Sequence, residues 1–270
     1  MHDVLLFGAA AAYLLSVTLL YRSLLGPAPG LRPPAIALAA TGLALHAAAQ
    51  CLSWFPSGPI EVSVLNVLSL CALVVVALSL ASLTLKTPLF DTGLVTLPLA
   101  ALVVLCEALL PLHGSILDEH GPTTAVHIVT SVMAFGLLSM AGVYAGFVAL
   151  LDHFLRHHHL NRLVRALPAL DIMETLLFRL VLAGFLVLSI ALATGLLFVS
   201  DLFAQHLVHK TVLSITAWLI FGLLLLGRHT RGWRGRTAVR LTLAGVVVLV
   251  LAYFGSKAVL EVILQRDWQA

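Results

Sequence analysis

Twelve histidines stand out in a 270-residue chain that is 61% hydrophobic and only 10% charged. A neutral imidazole can ligate a metal or haem iron, and intramembrane imidazoles and carboxylates also build proton relays. The densest polar cluster is "DLFAQHLVHKT", Asp201 to Thr211, which places Gln205, His206, His209 and Lys210 between two long apolar stretches. His46 is followed four residues later by Gln50, on the same face of a helix. His127 comes a turn after Thr123 and Thr124, both suited to cap a helix start. An imidazole in or near hydrocarbon is costly unless it has a partner, which makes His46, His127 and His209 the candidate site residues. Each also has a plainer reading: His46 as an interhelical hydrogen-bonding residue, His127 and His209 as interface or packing residues. His113, His120 and His206 read as solvated loop residues. The "HHH" run at 157–159 reads as a solvated or lipid-headgroup face of a basic amphipathic segment.

Other chemistries find little support. Cys51, Cys71 and Cys106 are far apart and form no CxxC pair, so they read as small apolar core residues rather than redox or metal ligands. No GxSxG, P-loop or HExxH pattern occurs, and no nucleophile or acid–base pair stands out, so the chain does not read as an enzyme. A net charge of +3 does not suggest nucleic acid as a partner.

The elements that must carry these histidines are membrane helices. Soluble domains hold roughly 25% charged residues, well above this chain, and runs such as "LTLAGVVVLVLAYFG" contain none. A spanning helix needs about 20 mostly apolar residues. Eight segments meet this near 3–21, 34–53, 63–85, 92–111, 124–151, 175–200, 209–227 and 237–260, most of them separated by breakers such as "GPAPGLRPP", "FPSGP" and "KTP". The expected fold is all-α: a polytopic membrane helix bundle of about eight transmembrane helices, a single transmembrane domain over residues 1–270.

Charge sets the expected orientation. No basic residue precedes the first apolar run and Arg22 follows it, which reads as a retained helix with its N-terminus outside. With that start, twelve basic residues fall on inner connections: Arg22, Arg32, Lys86, Arg156, Arg162, Arg165, Arg179, Arg228, Arg231, Arg234, Arg236 and Arg240. Only Lys210, Lys257 and Arg266 remain outside. This asymmetry places both termini outside. His46, His127 and His209 then all lie in the outer half of the bilayer. A haem would need an apolar slot, axial imidazoles and cations for its propionates. Spans five and seven offer the slot, His127 and His209 the ligands, and Lys210 and Lys257 the cations.

The stretches "HIVTSVMAFGLLSMAGVYA" (127–145), "METLLFRLVLAGFLVLSIALATGLLF" (173–198), "HKTVLSITAWLIFGLLLLGRHTRGWRGRTA" (209–238) and "LAYFGSK" (251–257) carry a resemblance. In order and content they resemble the cytochrome c assembly family of membrane proteins, most closely its HemX/YpjD-like branch of small eight-span inner-membrane proteins. The resemblance covers most of residues 120–260, with the "AW…GRH…GWRG" block its most specific part. It implies haem handling at the outer face of the bacterial cytoplasmic membrane, with His127 in the position of the first of two outer histidines. The loop around "DLFAQHLVHKT" takes the place of the family's tryptophan-rich WWD motif, and Lys210 matches a lysine near its end. The chain departs from that motif in having one tryptophan there, Trp218. No histidine occurs in "SKAVLEVILQRDWQA", where the second outer histidine belongs, which leaves His209 as a replacement ligand. The implied partners are haem, membrane lipids and other cytochrome c maturation or haem-synthesis proteins. Two further readings stand beside this one: an accessory or regulatory membrane subunit without haem, and a small transporter using His46 and Glu107 as a proton or ion path.

Overall fold

The computed structural model describes residues 1–26, 28–54, 61–84, 92–110, 115–116, 122–157, 169–198 and 205–255. Among these the architecture is eight long α-helices: α1 (His2–Leu25), α2 (Arg32–Trp54), α3 (Val64–Thr84), α4 (Gly93–Leu109), α5 (Pro122–Arg156), α6 (Leu170–Phe198), α7 (Gln205–Arg231) and α8 (Gly235–Val250). A single 3₁₀ turn, Pro29–Leu31, leads into α2, and a π turn, Leu251–Gly255, extends α8. Two-residue strands, Glu61–Val62 and Ser115–Ile116, pair antiparallel.

Seven of the helices are long and apolar enough to cross a bilayer. α4 falls short at 17 residues, about 25 Å at 1.5 Å per residue against a hydrocarbon core of about 30 Å, whereas the 16 residues of α8 reach a 19-residue span to Tyr253 with the π turn. The expected spans match the helices, but several helices outrun their apolar stretch. α7 continues through Arg228, His229 and Arg231, and α5 through Asp152, His153 and Arg156. Hydropathy marks the part of a helix that crosses hydrocarbon, whereas the hydrogen-bonded helix continues into headgroups and water, where charges are tolerated. The inner connection expected at 152–174 shrinks accordingly, since α5 ends at Arg156 and α6 begins at Leu170.

The helices form two compact units, α1–α4 and α5–α8. In the first, α1 packs against α2 and α4, and α3 against α2 and α4. Small residues let the backbones approach: Ala9, Ala10, Ala35, Ala39, Ala49, Ala100 and Ala101 are buried with Leu6, Tyr13 and Leu97. A Cβ on Gly42 would sit 2.7 Å from the Tyr13 ring. In the second unit α5 lies between α6 and α8, and α7 packs on both of these. There too a small residue faces a large one: Gly184 receives Leu138 and Gly245 receives Phe221.

Cys71 is buried and Cys106 partly so, but Cys51 is exposed on α2. The reading of all three as core residues is corrected for Cys51. In a membrane helix both the core face and the lipid face are apolar, so hydrophobicity alone does not choose between them.

Candidate functional site

His127 lies at the start of α5, against the end of α6. Its Nδ1 is 3.1 Å from the Ala191 carbonyl oxygen and 3.2 Å from Thr194 Oγ1. A carbonyl can only accept, so Nδ1 carries the hydrogen and donates it. That fixes the tautomer and leaves Nε2 with its lone pair. Among the described residues no hydrogen bond to Nε2 is seen, and the ring is half-buried. The ring can approach α6 closely because position 195 is glycine: a Cβ there would be 3.0 Å from His127 Cε1. Thr194 in turn returns its hydroxyl to the Ile190 and Ala191 carbonyls, as threonine does within a helix. An imidazole anchored through one nitrogen to a carbonyl is the arrangement by which proteins orient a metal-ligating histidine.

The same end of this unit holds the end of α8 and the start of α7. Tyr253, in the π turn after α8, donates its hydroxyl to the Ser131 carbonyl on α5 (3.1 Å) and packs on Phe135. α7 begins at Gln205, which puts His209 in its second turn, at the end where α5 begins. The helical backbone is described there, but the side chain of His209 lies outside the described residues, as does Lys257 altogether. Lys210 is half-buried on α7. Trp218 is further down α7, where its Nε1 donates to Ser189 Oγ (2.8 Å) and its ring stacks on Phe185 at 5.3 Å. It is a packing residue between α6 and α7.

His46 belongs to the first unit and is wholly buried. Both of its ring nitrogens are engaged: Nδ1 with the Tyr13 hydroxyl (3.2 Å) and Nε2 with Ser69 Oγ (2.8 Å). Gln50 Nε2 donates to Ser69 Oγ (2.9 Å) and lies 3.2 Å from each Glu107 oxygen, while Trp54 Nε1 donates to Gln50 Oε1 (3.0 Å). The i,i+4 pairing of His46 and Gln50 therefore puts both on one serine of α3. Neither Tyr13 nor Ser69 stands out in the sequence, because a tyrosine and a serine inside apolar runs carry no spacing signal.

At the opposite end of the second unit, polar side chains fasten α8 to α5 and α6. Glu174, buried on α6, accepts Arg234 Nε (3.0 Å) and the Gly235 backbone N–H (2.7 Å), so it caps α8. Asp171 also pairs with Arg234. Glu174 first and Asp171 second hold the Arg234 guanidinium above its ordinary range, securing its charge. Asp152 on α5 accepts Arg156 Nε (2.9 Å) and Arg236 Nε (3.3 Å). The "GWRG" turn between α7 and α8 needs glycine at both ends, with Gly232 at φ +64° and Gly235 at φ +55°. Trp233 folds back onto Gly227, where any Cβ would meet its ring at 2.2 Å. The most specific block of the sequence is thus a structural hairpin. His157 is exposed beside His153, with ring centroids 4.3 Å apart; His158 and His159 lie outside the described residues.

Comparisons with known proteins agree with this architecture. The family model for "Cytochrome C assembly protein" matches residues 35–264, beyond the 120–260 stretch that carries the resemblance. The chain is 34% identical over 261 residues to inner membrane protein YpjD of Escherichia coli (strain K12), covering 94% of this chain and 97% of that protein. It is 36% identical over 141 residues to an uncharacterized 28.8 kDa protein of Azospirillum brasilense, about half of each chain. It is 29% identical over 85 residues to the cytochrome c biogenesis protein CcsA of Prochlorococcus marinus (strain NATL1A), 31% of this chain and 27% of that one. No solved structure matches. With a family match across most of its length and helices of spanning length and apolarity, this multi-pass membrane chain belongs to the cytochrome c assembly protein family.

Proposed function

We propose that this protein binds haem at the end of its second unit where α5 begins and α6 ends, and that it serves haem handling for cytochrome c assembly from the bacterial inner membrane. One observation supports this reading: His127 Nδ1 is committed to the Ala191 carbonyl, which leaves the lone pair of Nε2 for a ligand role. Haem, when bound, would supply an iron for which such a nitrogen is a suitable ligand. His209, at the start of α7, is the second candidate ligand. Lys210 and Lys257 are the candidates to neutralise propionates, their long stems letting the ammonium groups reach the headgroups. The excess of basic residues on the other side supports an outer-half position for this end of the bundle. The similarity to YpjD, named an inner membrane protein, and to CcsA, named a cytochrome c biogenesis protein, supports the location and the process.

A second reading, an accessory or regulatory subunit without haem, draws on Trp218. The one tryptophan near the loop is spent on Ser189 and Phe185 rather than left to face a ligand. Haem titration into the detergent-purified protein separates the two. A saturable Soret band that survives washing is expected; no band above that of detergent alone would favour the accessory reading.

A further inference from the structure

The ion pairs that fasten α8 to α5 leave positive charge over. Asp152 accepts Arg156 Nε at 2.9 Å and Arg236 Nε at 3.3 Å. Arg240 stands one turn beyond Arg236 on the same side of α8. It is exposed and, among the described residues, makes no hydrogen bond or ion pair. Three guanidiniums against one carboxylate leave two positive charges in excess here. Like charges spaced i,i+4 on a helix repel. Arg240 also lies about 8 Å into the apolar span Gly235–Tyr253 at 1.5 Å per residue. A guanidinium at that depth needs an anion or must reach back toward water.

Arg236 and Arg240 border a cavity of about 240 Å³ between α5 and α8, walled by Val148, Ala149 and Val239. An apolar groove continues from it. Gly142, Gly146, Ala149 and His153 fall at i, i+4, i+7 and i+11 along α5, a single helical stripe. The stripe meets α8 at Gly142, where a Cβ would sit 3.3 Å from Val246 Cγ2. It is open at Gly146, which is exposed and where a Cβ would meet nothing within 4 Å. On α8, Leu243 and Val247 are exposed on the face that carries Arg236 and Arg240. One end of the groove is thus cationic and the rest is lined by small or apolar side chains.

We propose that the α5–α8 groove binds an anionic phospholipid, with its phosphodiester held by Arg236 and Arg240 and an acyl chain lying over Ala149 and Gly146. Guanidinium N–H groups suit phosphate oxygens, which accept them in pairs. Arg236 keeps its Nε on Asp152 and offers its remaining N–H groups; Arg240 offers all of its own. The excess of two charges favours a headgroup that keeps its negative charge over one neutralised by its own ammonium. A free phosphate would use only the cationic end and leave the apolar groove without a role. The site is at the opposite end of the second unit from His127 and does not depend on haem.

The test is native mass spectrometry of the full-length protein released from nanodiscs of equal phosphatidylglycerol and phosphatidylethanolamine. Wild type should retain phosphatidylglycerol in preference. Arg240→Gln should lower that retention about fivefold, the loss expected for one arginine near a charged bilayer surface. Gly146→Leu keeps every charge and fills open space, and should lower it several-fold with the thermal midpoint unchanged. Arg179→Gln alters an exposed arginine of α6 that does not line the cavity, and should retain as much as wild type. Equal retention of the two lipids by wild type, or the same retention in Arg240→Gln as in Arg179→Gln, would overturn the site. Unchanged retention in Gly146→Leu, or displacement of the lipid by millimolar inorganic phosphate, would overturn the acyl-chain seat and with it the choice of a lipid.

Discussion

At the residue scale, what separates the histidines is how many nitrogens each has left. His127 spends one on a carbonyl; His46 spends both, on Tyr13 and Ser69. Ligating haem iron through His46 would strip a wholly buried serine or tyrosine of its partner, at a cost of about 1–3 kcal/mol. The expected order in a haem-content assay on purified alanine variants follows. His127→Ala and His209→Ala each lose most bound haem, while His46→Ala retains most of it. Equal retention in all three would remove the axial assignment. The sequence made His127 legible because it follows two threonines at the start of an apolar stretch, and His46 because Gln50 follows at i+4. Its anchors were not legible. Ala191 acts through a backbone carbonyl, which every residue has, and Gly195 acts through the side chain it lacks.

At the element scale, the α6–α8 attachment is a cap and a clamp built from Glu174. A buried carboxylate that accepts the first N–H of a helix leaves that donor without its acceptor when it is removed, while Arg234 keeps its pair with Asp171. Glu174→Ala should therefore destabilise the protein by about 1–3 kcal/mol, read as a lower thermal midpoint in detergent. Asp171→Ala, whose partner Arg234 still has Glu174, should cost less than half as much because its exposed ion pair is solvent-screened. Equal losses would contradict the capping role. The existence and order of all eight helices were legible from apolar length and breakers. Their arginine- and histidine-bearing ends were not, because these residues continue a helix as readily as they end a span, as α7 does from Arg228 to Arg231.

At the scale of the whole molecule, each unit of four helices gathers polar groups with a different chemistry. One holds an imidazole whose Nε2 has no hydrogen bond among the described residues, the other a hydrogen-bonded cluster around His46. The haem reading depends on which way the bundle faces. Reporter fusions after Arg32, Lys86, Arg165 and Arg236 should all report the cytoplasm, as the positive-inside distribution requires. A periplasmic signal at these points would move the His127 end to the inner leaflet and remove the outer-face proposal. An orientation can be argued from the sequence because charge asymmetry is a property of the chain; the side-chain chemistry of each unit emerged only from packing.

The claim that His127 ligates haem iron is tested most directly by chemical rescue. His127→Gly removes the ring but leaves the Ala191 carbonyl and the space over Gly195. Haem titrated into this variant should give a weak, shifted Soret band, and millimolar free imidazole should restore the wild-type band position and saturation. A His127→Gly protein that binds haem with the wild-type spectrum and no response to imidazole would contradict the account.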